Sequence, residues 1–531
     1  MDPKSGNPET GPRQPGAVAE DQSAAVAFLS DPSTHGGHSV EVVETHGAYV
    51  FIAGERAIKM KRAVWFPYMD FSTVEKRRAA CEAELRLNRR AAPEIYRAVL
   101  PVTLEPSGGL ALGGEGKALD WTVVMRRFDQ DTLFDRMAQR NGLDAGLMES
   151  LADAIAAFHD RAERKTEVDF RNSMQAVVEG NAASLQNWIG KPFRQEEIER
   201  IGRRCADMLR AAGGALAVRA GAGFVRRCHG DLHLRNICLV GGRPTLFDCI
   251  EFDDRLAVID VMYDLAFLLM DLEHRGLRRQ ANVAINRYLA RTADYGGLAA
   301  LRLYLCVRAV IRAHVAAAAA AAQRMAAADR DRKDAASYLE LAMRLSEPAA
   351  PCLVAVGGLS GSGKTTLAHA LAPGIGGAPG AIVIRSDVLR KQLFGVDLFH
   401  RLPPEAYTRE QSRRVYRRIE ALAGAALAAG CSVIADGVFR NADERSAIRR
   451  VAETAGAPFA GVWLEVDVAT QEARLAGRLR DASDATVEVG RAQRRTAETV
   501  ADWPVLDADG GLAPLRATAA RRLAEAGIDC R

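Results

Sequence analysis

Two carboxylates and one amide occur in the middle of the chain at a spacing that suits phosphoryl transfer. Asp231 lies in the sequence His-Gly-Asp-Leu, followed along the chain by Asn236 and then by Asp248. Phosphoryl transfer depends mainly on positioning and charge neutralisation, so it needs few protein groups. Asp231 suits the role of a base that accepts the proton of an acceptor hydroxyl. Asn236 and Asp248 suit the role of ligands for Mg²⁺ on the phosphates of ATP.

These three residues need a turn to bring them together. Residues 237–240 and 245–247 read as two short strands, and Gly241-Gly242 between them favours a hairpin, because glycine adopts positive φ without steric cost. Such a hairpin would bring Asn236 and Asp248 to one metal ion. The alternative is that the acids only cap helices or turns, but the joint pattern of acid, amide, hairpin and acid is much rarer than single loop acids.

The N-terminal part of the sequence contains candidates for a lysine that contacts the α- and β-phosphates of ATP. Residues 40–45, 48–53 and 56–61 read as three strands of a meander. Side chains alternate along a strand, so Lys59 and Lys61 share one face of the third strand. We predict that Lys59 contacts the nucleotide, with Lys61 as the alternative. An exposed basic edge strand is the competing interpretation.

The next helix would carry the acid that orients this lysine. Residues 72–75, Ser-Thr-Val-Glu, form a capping box and predict the start of a helix. Glu84 lies on the same face of this helix as Cys81. A carboxylate on the buried side of a helix requires a cation, so Glu84 is the predicted partner of Lys59. Local pairing of Glu84 with neighbouring arginines is the alternative.

At these residues the chain resembles the aminoglycoside phosphotransferase and choline kinase superfamily. The resemblance implies a two-lobed, protein-kinase-like domain of α+β type that phosphorylates a small molecule. Gly230 stands where protein kinases have an arginine, Cys-Ile follows Asp248 in place of Phe-Gly, and no Ala-Pro-Glu follows. These differences argue against a protein kinase regulated by phosphorylation. Glu251, Asp253 and Asp254 would either make the cleft acidic or form a solvated loop.

The last third of the chain contains a second phosphate-binding motif. An apolar strand leads into Gly-Leu-Ser-Gly-Ser-Gly-Lys-Thr-Thr at residues 358–366. In such a loop the backbone amides and the following helix N-terminus surround phosphate, the lysine neutralises the β- and γ-phosphates, and the threonine binds Mg²⁺. Thr365 is therefore a predicted metal ligand as well. The predicted nucleotide-binding residues are Gly358, Gly361, Ser362, Gly363, Lys364, Thr365 and Thr366.

Four further apolar strands, separated by helical stretches, predict an α/β domain with a five-stranded parallel sheet. Function in such sheets lies at the carboxyl ends of the strands. Asp387 and Asp436 follow the second and third strands. We predict that Asp436 holds Mg²⁺ and that Asp387 accepts the acceptor's proton, unless it only caps a helix. Arg474 and Arg478, spaced i, i+4, are predicted to clamp the transferred phosphoryl group, with a solvated helix face as the alternative.

This second part resembles the small P-loop kinases related to zeta toxins, gluconate kinase and chloramphenicol phosphotransferase. The order of the two parts resembles a bacterial family of bifunctional aminoglycoside phosphotransferase and P-loop ATP-binding proteins, which are AAA family ATPases. Two prolines near residue 350 indicate the boundary between the parts. The predicted organisation is a disordered tail (1–22), a kinase-like domain (23–345), a linker (346–351) and a P-loop NTPase domain (352–531).

Composition restricts the partners and the compartment. The 531 residues, 48% hydrophobic, can bury sizeable cores, and the net charge of +4 is too small to imply nucleic acid or an acidic membrane. None of the nine cysteines forms a C-x-x-C pair, which favours reduced thiols in a cytoplasmic protein. No uninterrupted apolar run reaches the ~18 residues of a membrane span. The oligomeric state and both acceptors stay open.

Three functions compete at this stage. The first is an ATP-dependent phosphotransferase with two nucleotide sites that acts on small hydroxylated molecules. The second is a nucleotide-binding regulatory module with a degenerate kinase-like domain, as the altered residues after Asp248 and the lack of a G-x-G-x-x-G loop suggest. The third is a 5′-end polynucleotide kinase activity in the P-loop domain, against which the near-neutral charge argues.

Overall fold

A computed structural model of the chain describes residues 16–66, 68–322, 325–477, 481–495 and 500–530. The chain divides into two compact units. The first contains the residues up to 142 together with 158–164 and 226–259. The second contains residues 143–157 and 165–225 and the residues from 260 onward.

Before residue 346 most strands come early in the chain and long helices follow, whereas after residue 346 strands and helices alternate. The strands are β1 Glu41–Glu44, β2 Ala48–Ala53, β3 Arg56–Lys61, β4 Trp65–Phe66, β5 Met69–Asp70, β6 Tyr96–Leu104, β7 Leu110–Leu112, β8 Lys117–Arg126, β9 Val225–Arg227, β10 Ile237–Val240, β11 Arg243–Leu246, β12 Val258–Asp260, β13 Leu353–Gly358, β14 Ile382–Arg385, β15 Val433–Asp436, β16 Phe459–Glu465 and β17 Val505–Asp507. The helices are α1 Ser23–Ser30, α2 Val74–Asn88, α3 Phe134–Gln139, α4 Ala145–Arg161, α5 Phe170–Gln186, α6 Gln195–Gly221, α7 Asp254–Ala257, α8 Val261–His274, α9 Arg278–Thr292, α10 Leu298–Ala322, α11 Met325–Ser346, α12 Lys364–Leu371, α13 Ser386–Leu393, α14 Arg409–Ala428, α15 Ala442–Thr454, α16 Val468–Ala476, α17 Val487–Arg495 and α18 Leu512–Glu525.

A six-stranded antiparallel sheet forms the first part of the first unit, in the order β1-β2-β3-β8-β6-β7. Its register places Lys59 of β3 opposite Val50 of β2 and Val123 of β8. Alternation along β3 buries Ile58 and Met60 in an apolar cluster, so Lys59 projects from the other face. The predicted meander of three N-terminal strands is confirmed.

Helix α2 packs against β6 and β8 of this sheet. It begins after Thr73, whose hydroxyl accepts a hydrogen bond from the Lys76 N–H at 3.3 Å. Its buried face contains Cys81, Glu84 and Asn88, which recur at helical spacing. The helix therefore brings a buried carboxylate to the sheet.

Residues 16–22 contact β4, the segment just before it and α2, although the sequence predicts them to belong to a disordered tail. The Gly16 N–H donates to the Trp65 carbonyl at 2.8 Å, and the Ala19 N–H donates to the Ala63 carbonyl at 2.7 Å. The Glu20 carboxylate contacts Arg77 at 2.8 Å. The remainder of the predicted tail, residues 1–15, lies outside the described residues.

Strands β10 and β11 form the predicted hairpin, with Val240 opposite Arg243. Gly241 and Gly242 turn the chain with φ values of 57° and 75°, which only glycine adopts at little cost. The hairpin returns the chain to the point at which it began, because the Phe247 N–H donates to the carbonyl before β10 at 3.0 Å.

In the second unit, five parallel strands form a sheet in the order β14-β15-β13-β16-β17. All six residues of β13 are buried, as expected for a strand covered by helices on both faces. Val354, Val356 and Leu464 of the sheet share one apolar cluster with Leu367 of α12 and Leu523 of α18. The predicted five-stranded parallel sheet is confirmed, and its central strand ends at the phosphate-binding loop.

Helices α5, α6, α8, α10 and α11 pack together in the second unit, and nearly every residue of α8 is buried. One helical stretch, Tyr295–Ala321, is long and apolar enough to cross a membrane, but 67% of its most apolar window is buried inside the protein. A core helix passes the same test. Arginines interrupt the apolar run of this helix, so the sequence does not predict a membrane span there.

Helix α9 joins these helices to the edge of the parallel sheet. The Asn286 side-chain oxygen accepts a hydrogen bond from the Val383 N–H of β14 at 2.7 Å, and the Asn282 amide donates to the Ala381 carbonyl at 3.0 Å. The edge strand is thereby covered, which protects it from pairing with other chains. The helices after residue 260 thus form one compact unit with the P-loop domain, although the sequence assigns them to the kinase-like domain.

Candidate active sites

A network of charges surrounds the predicted nucleotide lysine of the first unit, with Glu84 buried and Asp248 half-exposed. The Lys59 Nζ lies 2.9 Å from Glu84 Oε1 and 2.6 Å from Asp248 Oδ1. Lys61 Nζ lies 2.5 Å from the other oxygen of Glu84 and also contacts Glu251. Both candidate lysines therefore contact Glu84, but they have different second partners. Only Lys59 is placed beside the predicted metal ligand.

Opposite charges keep this network ionised. Burial lowers the pKa of Lys59, but Asp248 and Glu84 outweigh that effect and raise it well above its usual value. Burial raises the pKa of Glu84, and the two lysines more than reverse this, so its pKa is lowered. The pKa of Asp248 is likewise lowered, because Lys59 outweighs burial. A buried ammonium held between two carboxylates is suited to contact phosphate oxygens.

The predicted catalytic base and metal ligands converge at the hairpin. The Asn236 side-chain nitrogen donates to Asp231 Oδ2 and to the Asp231 carbonyl, both at 2.9 Å. The Phe247 N–H donates to the Asn236 carbonyl at 3.0 Å, which places Asp248 directly beside this pair. His233 Nε2 lies 3.2 Å from Asp231 Oδ2. The base is therefore held in one orientation by two neighbours.

Three residues without a predicted role hold Asp248 and its loop in place, namely Tyr96, Asn88 and His229. Asp248 has φ 63°, a conformation that costs energy in a non-glycine residue. The Tyr96 hydroxyl accepts a hydrogen bond from the Asp248 N–H at 3.1 Å, and Asn88 Oδ1 accepts one from the Cys249 N–H at 2.8 Å. His229, fully buried, contacts the Phe247 carbonyl at 2.9 Å. Asn88 could have been found, because it lies one helical turn after Glu84.

The acids after Asp248 do not line an acidic cleft. Glu251 is buried and paired with Lys61. Asp253 Oδ1 accepts a hydrogen bond from the Arg255 N–H at 2.9 Å and caps α7, and Asp254 Oδ2 lies 2.6 Å from Arg227. Of the two alternatives, the acidic cleft is the one that these contacts disfavour, because each carboxylate has a cation of its own.

The phosphate-binding loop of the second unit depends on three glycines. Gly358, Gly361 and Gly363 have φ values of 140°, 88° and 94°, which favour glycine. A Cβ atom at Gly358 would lie 2.6 Å from Ser362 Oγ. That hydroxyl is buried and has no hydrogen-bond partner among the described residues. The loop is thus a cradle whose polar atoms suit a phosphate group.

Helix α12 begins directly after this cradle and carries the predicted phosphate and metal residues. The Thr365 hydroxyl donates to Asp436 Oδ2 at 2.6 Å, and Arg385 Nε lies 3.5 Å from the same oxygen. The Lys364 Nζ donates to the Leu359 carbonyl at 2.9 Å. The hydroxyl and the carboxylate therefore meet at the carboxyl ends of β13 and β15, the predicted position for Mg²⁺.

One cavity of about 1500 Å³ contains most of the residues predicted for this site. Asp387 lies in the first turn of α13, but Arg385 occupies the cap position of that helix. The carboxylate of Asp387 has no hydrogen bond or ion pair among the described residues, so it does not cap the helix. The cavity is lined by residues 360–366, Asp387, Asp436 and Arg474, among others.

The structure describes one of the two predicted arginine clamps. Arg474 donates to the Ala508 carbonyl at 2.8 Å and lies 3.5 Å from the Ser362 carbonyl. It thus borders the phosphate-binding loop from α16. Arg478 lies outside the described residues.

The residues present fit ATP with Mg²⁺ at both positions. Carboxylate, amide and hydroxyl oxygens are the ligands that Mg²⁺ prefers. Asn236 and Asp248 would hold the ion in the first unit, and Thr365 and Asp436 would hold it in the second. The bound ion would neutralise charge on the phosphates and orient them.

Comparisons with known proteins agree with this division into two sites. A family model described as "Phosphotransferase enzyme family" matches residues 69–304, and one described as "AAA domain" matches residues 353–500. Both are families of kinase type, so the chain is an enzyme that transfers phosphoryl groups.

One of the relatives extends over both parts of the chain, and others match less of it. "Uncharacterized protein Rv2004c" of Mycobacterium tuberculosis is 31% identical over 471 residues, which are 87% of this chain and 91% of the relative. An adenylyl-sulfate kinase of Myxococcus xanthus is 33% identical over 109 residues, 20% of this chain and 54% of that protein. The solved structure of a choline/ethanolamine kinase family protein from Mesorhizobium loti covers 60% of this chain and 97% of its own, with 16% identity and a TM-score of 0.36. The two family models and the relative Rv2004c show that the chain belongs to a family that joins a domain of the phosphotransferase enzyme family to a C-terminal P-loop domain of AAA type.

Proposed function

We propose that the protein is an ATP-dependent phosphotransferase with two nucleotide sites, each of which phosphorylates a hydroxyl group of a small molecule. At each site the acceptor oxygen forms a bond to the γ-phosphorus, the bond from that phosphorus to the β,γ-bridging oxygen breaks, and ADP leaves. The acceptor's proton passes to a carboxylate, that of Asp231 in the first unit and that of Asp387 in the second.

The observation that carries this proposal is the contact of Lys59 with two carboxylates from distant parts of the chain. Its Nζ lies 2.9 Å from Glu84 and 2.6 Å from Asp248, which is 189 residues away in sequence. Lys61 also contacts two carboxylates, Glu84 and Glu251, but neither of them is a predicted metal ligand. A lysine placed between a helix carboxylate and a metal-ligand carboxylate is arranged to hold phosphate oxygens beside the metal.

The arrangement also supports an active first site over a degenerate one. The base, Asp231, accepts a hydrogen bond from Asn236 at 2.9 Å and is oriented by His233. Cys249, which replaces the phenylalanine of protein kinases, is buried, and its N–H donates to Asn88. The altered sequence after Asp248 is thus part of the support of the loop and removes no catalytic group.

Two single substitutions test the proposal. Asp231→Asn and Lys364→Ala should each remove a separate part of the ADP that the chain forms when it is incubated with Mg²⁺, ATP and a small-molecule cell extract. Loss of the base should lower the rate of the first site by roughly 10²–10⁴-fold. Mass spectrometry of the extract should show one phosphorylated product lost in each variant. If neither variant changes ADP formation or the products, the proposal is wrong and a nucleotide-binding regulatory module is the better description.

A further inference from the structure

The cavity of the P-loop domain is larger than one ligand requires. Ligand pockets of ordinary size enclose about 300–1,000 Å³, whereas this cavity encloses about 1500 Å³. The phosphate-binding loop lines it together with residues of α13, of the start of α14 and of the loop after β15, which we call the acceptor side. Asp387 belongs to α13. The cavity therefore has room for an acceptor next to a nucleotide.

Arginines are concentrated on the acceptor side. Arg409 and Arg413 are spaced i, i+4 on α14 and share one face, Arg401 precedes them, and Arg390 of α13 and Arg440 after β15 also line the cavity. Arginine presents a planar set of donors that matches a carboxylate, a phosphate or a sulfate. This is the composition of an oxyanion-binding surface.

The acids and the arginines that line the cavity differ in whether they form ion pairs within the protein. Asp481 contacts Arg385 at 3.1 Å and Asp484 contacts Lys391 at 2.6 Å, so these carboxylates are neutralised within the protein. Arg401, Arg409 and Arg413 form no ion pair with any described residue. Three cations on the acceptor side are therefore without an anion, whereas most of the acids near them have a partner.

Arg390 adds a largely buried cation to this set of arginines. It is 7% exposed, and its Nη1 donates to the Ala406 carbonyl at 2.6 Å. Its Nε is buried and has no hydrogen-bond partner among the described residues. Its guanidinium lies over the Tyr407 ring, 4.8 Å from the centroid. Because Arg390 also lines the cavity and forms no ion pair with a described residue, its charge adds to that of the other arginines.

We infer that the acceptor of the P-loop domain is a small hydroxylated molecule that carries an oxyanion, bound by Arg390, Arg401, Arg409 and Arg413. This inference rests on the proposed function and names the class of acceptor at its second site. The oxyanion is held by the arginines while the acceptor hydroxyl lies between Asp387 and the γ-phosphate. The phosphoryl transfer is the one already described, with ADP as the leaving group and the proton on Asp387.

The first test compares matched acceptors in a full-length Asp231→Asn background, which silences the first site. The panel contains glucose, gluconate and glucose 6-phosphate, then glycerol, glycerate and glycerol 3-phosphate, and a 5′-hydroxyl oligonucleotide. We expect a carboxylate or a phosphate ester to stimulate ADP formation at least tenfold more than its neutral parent. A response to the carboxylate or to the phosphate ester shows which of these two oxyanions the acceptor carries. Equal stimulation by the neutral parents, or phosphorylation of the oligonucleotide alone, would overturn the inference.

The second test does not require the true acceptor to be in the panel. Sulfate is titrated by calorimetry into the full chain saturated with Mg²⁺ and a non-hydrolysable ATP analogue. We expect the Arg409→Gln/Arg413→Gln double variant to bind sulfate at least tenfold more weakly, because each lost charge-assisted contact weakens binding. Arg417→Gln, an exposed change on the same helix outside the cavity, is the control and should match the unaltered protein. Equal binding of sulfate by all three proteins would contradict the inference.

Failure of the inference can be told from failure of the proposed function. Lys364→Ala in the Asp231→Asn background should abolish the remaining ADP formation if the P-loop domain is a kinase. If it does so while oxyanions have no effect, only the inference about the acceptor is wrong. If Lys364→Ala changes nothing, the proposed function of this domain is wrong as well.

Discussion

Lys61 offers the sharpest test of how the first site is held together. Its side chain is 3% exposed and contacts two buried carboxylates, Glu84 at 2.5 Å and Glu251. Burial raises the pKa of Glu251, an effect that Lys61 opposes and Glu84 reinforces. Lys61→Met would leave Glu251 buried without the lysine that stabilises its charge.

The expected cost follows from the burial of all three groups. Removal of one partner from a buried ion pair costs about 3–5 kcal/mol, because an uncompensated charge stays in the interior. Solvent screening does not reduce this value, since the side chains of Glu84 and Glu251 are 0% and 4% exposed. Lys61→Met/Glu251→Leu removes both charges and should recover at least about 2 kcal/mol, since apolar replacement of a whole buried pair is often nearly neutral.

Hydrogen exchange in peptides from β2 and β3 measures this effect locally, which matters because the chain has two compact units. Lys76→Met is the matched control: Lys76 contacts Asp70 at 2.6 Å, but its side chain is 45% exposed, so its loss should cost below about 1 kcal/mol. Either of two results would refute the account of the network. In the first, Lys61→Met costs no more stability than the control; in the second, the double variant is no more stable than Lys61→Met alone.

Three further predictions concern the second unit. Asp387→Asn should lower the kcat of the P-loop site by roughly 10²–10⁴-fold without changing its KM for ATP; an unchanged kcat in steady-state assays would remove Asp387 from the mechanism. Arg219 contacts two buried aspartates at 2.6 and 2.5 Å, so Arg219→Met should destabilise its unit by about 3–5 kcal/mol in urea unfolding, and a loss below about 1 kcal/mol would contradict this. Burial raises the pKa of Asp153, and two arginines at 2.7 and 2.8 Å lower it to a greater extent. Its contribution is therefore present above the ordinary value of 3.8 and is lost as the pH falls through the lowered pKa, so Asp153→Asn should flatten the loss of stability below about pH 4, and parallel acid-unfolding curves would contradict it.

The sequence predicted the residues that lie close together along the chain or at the ends of regular elements. The hairpin that joins Asn236 to Asp248 follows from two glycines, and the position of Thr365 and Asp436 follows from the order of strand, loop and helix. These signals are local, because turn chemistry and strand periodicity act over a few residues. The five-stranded parallel sheet was predictable for the same reason.

The contacts that could not be predicted are polar and join distant parts of the chain. Lys61 and Glu251 are 190 residues apart in sequence, and the spacing of neither one indicates the other. The attachment of Asn286 on α9 to β14 is of the same kind. A buried polar contact leaves no periodic pattern in the sequence. The sequence therefore presents Lys61 only as an alternative to Lys59, whereas in the structure each lysine contacts its own set of carboxylates.

The most direct test of the central claim is the number of nucleotides that one chain binds. Calorimetric titration of the full chain with a non-hydrolysable ATP analogue and Mg²⁺ should give a stoichiometry of two. Lys59→Met and Lys364→Ala should each reduce it to one, and the combined variant should bind none. A stoichiometry of one in the unaltered protein, or a value that neither variant changes, would contradict the claim that two separate sites hold nucleotide.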